Sequence, residues 1–142
     1  DGCSMQKDNE KNRILATMAD ILIMNSKYPL KVSGKATYDE ALLEMSTWGS
    51  KKVVGCTLGD KGSKFVVGGR VVDFPSFKAK SIVDTTGCGD VFHGAFLSAY
   101  VSGMSLEKCI RFASATACCK CAVPGGRAGI PNRDVVLGII GE

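Results

Sequence analysis

The chain has one histidine and one tryptophan, and aromatic residues make up 7% of its 142 positions. With His93 far from the cluster Cys118-Cys119-Lys120-Cys121, and with no second C-x-x-C, the ligand spacing of a structural zinc site is not met. No run of 18 apolar residues occurs, and no charged-then-apolar leader of the signal-peptide kind, so no membrane is expected among the partners. The net charge of +4 is modest, and Lys51, Lys52, Lys61, Lys64, Lys78 and Lys80 are scattered without interleaved aromatics. That distribution suits a solvated surface with some attraction for polyphosphate, not a nucleic-acid-binding face. Gly87-Cys88-Gly89 lacks the third glycine that a dinucleotide-binding turn needs, which argues against a nicotinamide or flavin oxidoreductase. No internal repeat or low-complexity segment is present.

What the chain does have is alternation. At 45% hydrophobic and 23% charged residues it has the composition of a soluble globular piece. Residues from Glu10 to Ala19 are helix-like, Asp20 to Met24 reads as a short buried strand, and Thr37 to Trp48 spaces its apolar residues as a helix does. Lys52 to Leu58 is a β-rich run that ends in glycine. Phe65 to Val67 and Val71 to Phe74, separated by Gly68-Gly69-Arg70, read as a hairpin. A helix from Cys88 or Gly89 to Val101 stops at Gly103, Ser105 caps another that runs to Cys121, and Asn132 is a cap for a last helix over Arg133 to Ile140. Trp48 and Tyr100 read as packing residues. The order of elements predicts an α/β sandwich.

Seven cysteines are many, and an odd number. Reduced thiols that serve as small apolar residues within helices account for most of them, and fit a cytoplasmic compartment. Cys88 is set apart, because a helix N-terminus lowers a thiol pKa and makes it oxidisable.

The chemistry concentrates in Asp84-Thr85-Thr86-Gly87-Cys88-Gly89-Asp90, followed at once by the apolar run Val91 to Leu97. Gly87 and Gly89 allow a sharp turn and close approach of a ligand to the backbone, and the first amides of the helix that follows have no intrahelical acceptor. Such a place binds phosphate. Asp90 at the same spot can accept the proton of a hydroxyl as it attacks that phosphate, so phosphoryl transfer is the reaction suggested. His93, one turn on, either faces the same site or bonds locally.

This stretch resembles the D-T-x-G-A-G-D signature of the ribokinase/PfkB family of carbohydrate kinases. Two further segments in the same order are similar to family patterns: Thr57-Leu58-Gly59-Asp60-Lys61-Gly62 to its nucleotide loop T-x-G-x-x-G, and Pro124 to Pro131 to its C-terminal loop. The resemblance covers nearly all of residues 1–142 but only the C-terminal half of the family's domain, so the expected fold is the C-terminal portion of a three-layer α/β/α ribokinase-like sandwich. The start at Asp1-Gly2-Cys3 leads us to expect a cut inside a larger domain, with the sugar-gripping half and its β-sheet lid absent. Half of such a sheet exposes a strand edge, which implies association with the missing half or a homodimer.

The resemblance also implies roles. Asp90 matches the catalytic base, and the amides of Gly87, Cys88 and Gly89 match the anion hole that stabilises the transferring phosphoryl group. Cys88 either carries the reactivity above or only fills the family's alanine position. Thr57, Gly59 and Gly62 match a loop at the nucleotide's phosphates and ribose, although a strand-to-hairpin turn would use similar residues. Ser114 aligns with an adenine-pocket position, against which stands plain helix packing. Asp84 and Thr86, with backbone carbonyls near Lys120, Val123 and Gly125, match the ligands of a monovalent cation such as K+. The alternative is that Asp84 fixes the turn through its own backbone bonds. Asn25 matches the first residue of the N-x-x-E pattern that organises Mg2+, but Tyr28 stands where the glutamate would be, and a tyrosine stays protonated at neutral pH.

The function expected is therefore ATP-dependent transfer of a phosphoryl group to a primary hydroxyl of a small sugar, the chain alone being inactive. A kinase for a nucleoside or another small alcohol, and a non-catalytic nucleotide-binding module, are the alternatives.

Overall fold

A computed structural model describes residues 9–79 and 81–141, so the expectations placed on Asp1 to Cys3 and on Lys80 lie outside the described residues. The chain divides into two compact units, residues 1–75 and residues 76–142.

The first unit carries α1 (Asn9–Met18), β1 (Ile21–Asn25), α2 (Tyr28–Ser33), α3 (Tyr38–Met45), β2 (Val53–Thr57), β3 (Ser63–Val67) and β4 (Arg70–Phe74). The sheet order is β1-β2-β3-β4, with β1 parallel to β2 and the remaining pairs antiparallel. Leu22 and Met24 of β1 register with Val54 and Cys56 of β2, and these alternate residues join Leu42, Met45, Tyr28 and Trp48 in one buried cluster. Ile23 and Val53, which point the other way, are buried too, so these two strands are covered on both faces as in an α/β sheet.

α3 begins with a capping box: the Glu40 N–H donates to the Thr37 hydroxyl and the Thr37 N–H to the Glu40 carboxylate. The helix stops at Met45, short of the expected Trp48, whose ring packs in the following turn beneath the Arg13 guanidinium at 4.6 Å. The hairpin turn is Gly68-Gly69 alone, both at positive φ, and Arg70 already pairs with Val67. Helix α2 was not anticipated, because six residues with proline in the first turn show no helical period.

The second unit is helical: α4 (Cys88–Val101), α5 (Leu106–Lys120) and α6 (Arg133–Ile140). α4 and α5 form a helical hairpin that turns at Gly103, with φ 80°, and buries Phe92, Phe96, Ala99, Ile110 and Ala113. Ser105 caps α5 as expected by accepting the Lys108 N–H. Asn132 holds the expected cap position of α6, but its side chain makes no cap bond. α6 seats Val136 and Ile140, and the Arg111 guanidinium donates to the Ile140 carbonyl at 3.3 Å. The segment before α4 runs along α5, where Phe77 lies under Arg111 and Val83 donates to the Cys121 carbonyl at 2.8 Å.

Candidate active site

In the second unit, the loop Asp84 to Asp90 is tied to the loop after α5. The Asp84 carboxylate accepts from the Thr86 N–H at 2.8 Å and from the Gly125 N–H at 2.7 Å, one oxygen for each. These bonds, Thr86 first, hold its pKa down to about 2, and the Lys120 ammonium contributes in the same direction. Gly87 takes φ 75° at the start of α4, and a β-carbon there would lie 3.0 Å from the Gly126 carbonyl oxygen. Only glycine meets both conditions without displacement.

The first intrahelical bond of α4 runs from the Val91 N–H to the Gly87 carbonyl at 2.9 Å. The N–H groups of Gly89 and Asp90 precede it and belong to the free end of the helix. Of the amides expected to form the anion hole, that of Cys88 instead donates to the Thr85 carbonyl at 3.2 Å. Beyond its chain neighbours and the backbone of its own helix, no atom of the described residues lies within 4 Å of the position a β-carbon on Gly89 would take, so the backbone there is open to a ligand.

Asp90 is exposed and lines a cleft of about 700 Å³ together with Thr86, Gly94, Ser98, Arg127 and Arg133. The two arginines were not singled out from sequence. Arg127 lay inside the glycine-rich loop motif, and Arg133, placed over the Phe112 ring at 5.6 Å, sits in the first turn of α6. Arg127 adds a positive charge to the lining of this cleft, whereas the Arg133 guanidinium donates to the Ser102 hydroxyl at 3.5 Å, at the end of α4 opposite Asp90. Ser114, half-buried on α5, does not line this cleft. The His93 Nδ1 bonds locally to the Gly89 carbonyl at 2.7 Å.

Of the two readings of Cys88, the contacts speak against the reactive thiol. Burial, then its contact with the Cys121 thiol at 3.2 Å, pushes its pKa up to about 11, so the helix dipole does not make it a reactive thiolate.

The residues do not fit a monovalent cation. The Lys120 carbonyl accepts the Val123 N–H at 3.2 Å, and Gly129 covers it so closely that a β-carbon there would come within 2.8 Å. The Lys120 ammonium, wholly buried, donates to the Asp84 carbonyl at 2.8 Å. Asp84 thus fixes the turn, the alternative reading of its sequence position.

In the first unit, Thr57 ends β2 and its hydroxyl donates to the Met24 carbonyl at 3.4 Å. Gly59 at φ 66° and Gly62 at φ 91° bracket a 3-10 turn closed by the Leu58 N–H on the Gly62 carbonyl at 2.8 Å. The Asn25 side-chain oxygen accepts from the Lys27 and Tyr28 amides at 3.0 and 3.2 Å. Tyr28 is a core residue whose hydroxyl donates to the Asn12 carbonyl at 2.8 Å, so it takes no part in a metal site. Among the described residues no group of three or more His, Cys, Asp or Glu side chains is placed to hold a metal ion.

Residues 3–133 match the pfkB family carbohydrate kinase pattern. The chain is 35% identical over 127 residues to a ribokinase of Arabidopsis thaliana, a match that covers 85% of this chain and 33% of that protein. It is 37% identical over 101 residues to a cytidine kinase of Thermococcus kodakarensis, covering 70% of this chain and 36% of the relative. The chain thus spans about a third of the length of these relatives. Among solved structures, Arabidopsis thaliana ribokinase complexed with ribose and ATP superposes with a TM-score of 0.79 at 34% identity, over 90% of this chain and 43% of that one. A Methanocaldococcus jannaschii nucleoside kinase gives 0.80 at 29% identity, over 94% and 43%. The mixed sheet and its helices are part of the ribokinase fold, and the chain belongs to the pfkB family of carbohydrate kinases.

Proposed function

We propose that this chain is the catalytic, nucleotide-binding part of an ATP-dependent kinase that phosphorylates a primary hydroxyl of a small sugar. The observation that carries the reading is the position of Asp90 in the first turn of α4, beside the open Gly89 and Asp90 amides and within a cleft that Arg127 and Arg133 border.

Asp90 takes the proton of the acceptor hydroxyl as that oxygen bonds to the γ-phosphorus, and the bond from phosphorus to the bridging oxygen breaks to release ADP. The amides at the start of α4 meet the charge on the transferring oxygens, with Gly87 and Gly126 fixing their aim. The loop Thr57 to Gly62 is the candidate for the nucleotide's phosphates and ribose. Magnesium would arrive on the triphosphate, since Asn25 already serves two backbone amides and the described residues offer no carboxylate cage. The six described cysteines are all unpaired as disulfides, which suits a cytoplasmic setting.

A second reading, a nucleoside kinase, has its own support, because cytidine and nucleoside kinase relatives match at 37% and 38% identity, as high as the ribokinases. We infer that the residues that choose the acceptor belong to a further half of the domain, so that these 142 residues alone bind ATP and turn over neither substrate class.

The test is Asp90→Asn in the kinase that contains this chain, assayed with ATP against ribose and cytidine. Turnover should fall about 10²–10⁴-fold while ATP affinity stays within about threefold. Full turnover in the variant removes Asp90 as the base. ATP binding without turnover of any alcohol by the unaltered protein favours a non-catalytic module instead.

A further inference from the structure

The most unusual charge in the molecule is Lys120, the last residue of α5, which is fully buried. A buried ammonium is costly unless something receives it, and here the Asp84 carbonyl does so at 2.8 Å, where the C-terminal end of α5 also favours positive charge. Asp84 is the residue from which the phosphate loop is built. Its carboxylate binds the Thr86 and Gly125 amides, and its own amide shares the Cys121 carbonyl with Val83, at 3.2 and 2.8 Å. The ammonium therefore sits at the root of two loops whose tips, Gly87 and Gly126, touch.

We propose that the Lys120 ammonium is a built-in monovalent cation, which orders the Asp84–Asp90 loop and makes the site independent of potassium or sodium. The inference rests on the kinase reading for its functional meaning but not for its geometry. One positive charge, carried by the chain itself, is already hydrogen-bonded to the Asp84 carbonyl, and the carbonyl of Lys120 is closed by the Val123 amide and by Gly129. A soluble cation would have to displace a bonded amine and share its field.

The test compares the unaltered chain and Lys120→Ala in potassium chloride and in tetramethylammonium chloride, both at about 0.15 M to equalise screening. The readouts are the melting temperature and the amide exchange of residues Thr86 to Asp90. The unaltered chain should melt within about 1 °C in the two salts. Lys120→Ala should exchange about tenfold faster in this loop in tetramethylammonium chloride, and potassium should restore at least half of the protection. A residue that only fills space would gain nothing from small cations. Potassium-specific protection of the unaltered chain overturns the proposal, and so does a variant equally loose in every salt. Should Lys120→Ala fail to fold, the salt comparison on the unaltered chain decides alone, with Lys120→Arg, which keeps the charge, expected to behave like it. ATP binding measured on the same samples separates the two claims: its absence sinks the kinase reading and leaves the loop result to stand or fall on exchange.

Discussion

Gly87 sits directly beneath Gly126, so close that a β-carbon on Gly87 would meet the Gly126 carbonyl oxygen at 3.0 Å and its Cα at 3.1 Å. Backbone meets backbone at this point, and neither side can step aside as a flexible side chain would. Gly87 also holds φ 75°, a region that an L-residue enters at a cost of about 1–2 kcal/mol. Gly87→Ala should lower the melting temperature by about 3–10 °C and weaken ATP binding by about tenfold or more, as calorimetry of both would show. Gly89→Ala, with no atom beyond its chain neighbours and its own helix backbone within 4 Å of the new carbon, should be much milder in stability, which separates a packing glycine from an approach glycine.

Asp84 carries a pH dependence whose sign is fixed by its bonds. Its carboxyl titrates at about 2 in the folded chain against 3.8 without those contacts, chiefly through the Thr86 amide and hydroxyl and the Gly125 amide. Between these values the unfolded chain takes up a proton that the folded one refuses, so stability falls with falling pH across this window. Above it the contribution is fully present. Acid unfolding followed by circular dichroism should therefore be steeper between pH 4 and 2 for the unaltered chain than for Asp84→Asn, which lacks the titrating group. Parallel curves would show that the carboxylate's bonds add nothing.

Much of this was legible from residues alone, because the signals were local. The turn at Gly87, the cap at Ser105 and the short apolar runs that became β1 and β2 each rest on neighbours in sequence. What escaped depended on contacts distant along the chain. Lys120 looked like a donor of a backbone carbonyl to a cation until its ammonium was found at Asp84, 36 residues away. One reading of Cys88 from its helix position was a reactive thiol, but burial first, and then the Cys121 thiol 33 residues on, push its pKa up instead. Arg127, in the loop after α5, and Arg133, on α6, belong to different local elements, and both line the Asp90 cleft only in the folded second unit.

The pairing of β2 with β3 in the first unit depends on a close approach of another kind, a glycine backbone against an aromatic ring. Gly55 of β2 registers with Phe65 of β3, and a β-carbon on Gly55 would lie 2.3 Å from that ring, which is fully buried and meets Phe74 edge-on at 6.1 Å. Gly55→Ala should destabilise the chain by about 1–3 kcal/mol through overpacking, read as a shift of the denaturant midpoint with an unchanged slope. Phe65→Leu in the Gly55→Ala background frees the space and should recover part of the loss. Failure to recover would place the strain elsewhere.

Cys88 offers a direct check on the electrostatics of the phosphate loop. Burial raises its pKa first, and the adjoining Cys121 thiol adds to the effect as hydrogen-bond partner and as like charge, to about 11 in total, against the pull of the Lys120 ammonium. At pH 8 only about one thiol in a thousand is then ionised, against about a quarter for an unperturbed cysteine near 8.5. Iodoacetamide should accordingly label Cys88 about a hundredfold more slowly than a free cysteine, measured as the modified fraction of its peptide by mass spectrometry. Cys121→Ala removes the neighbour and leaves the helix end, so labelling should accelerate. If the unaltered thiol reacts as fast as free cysteine, the helix dipole dominates after all, and the loop is more open to solvent than its contact with Cys121 implies.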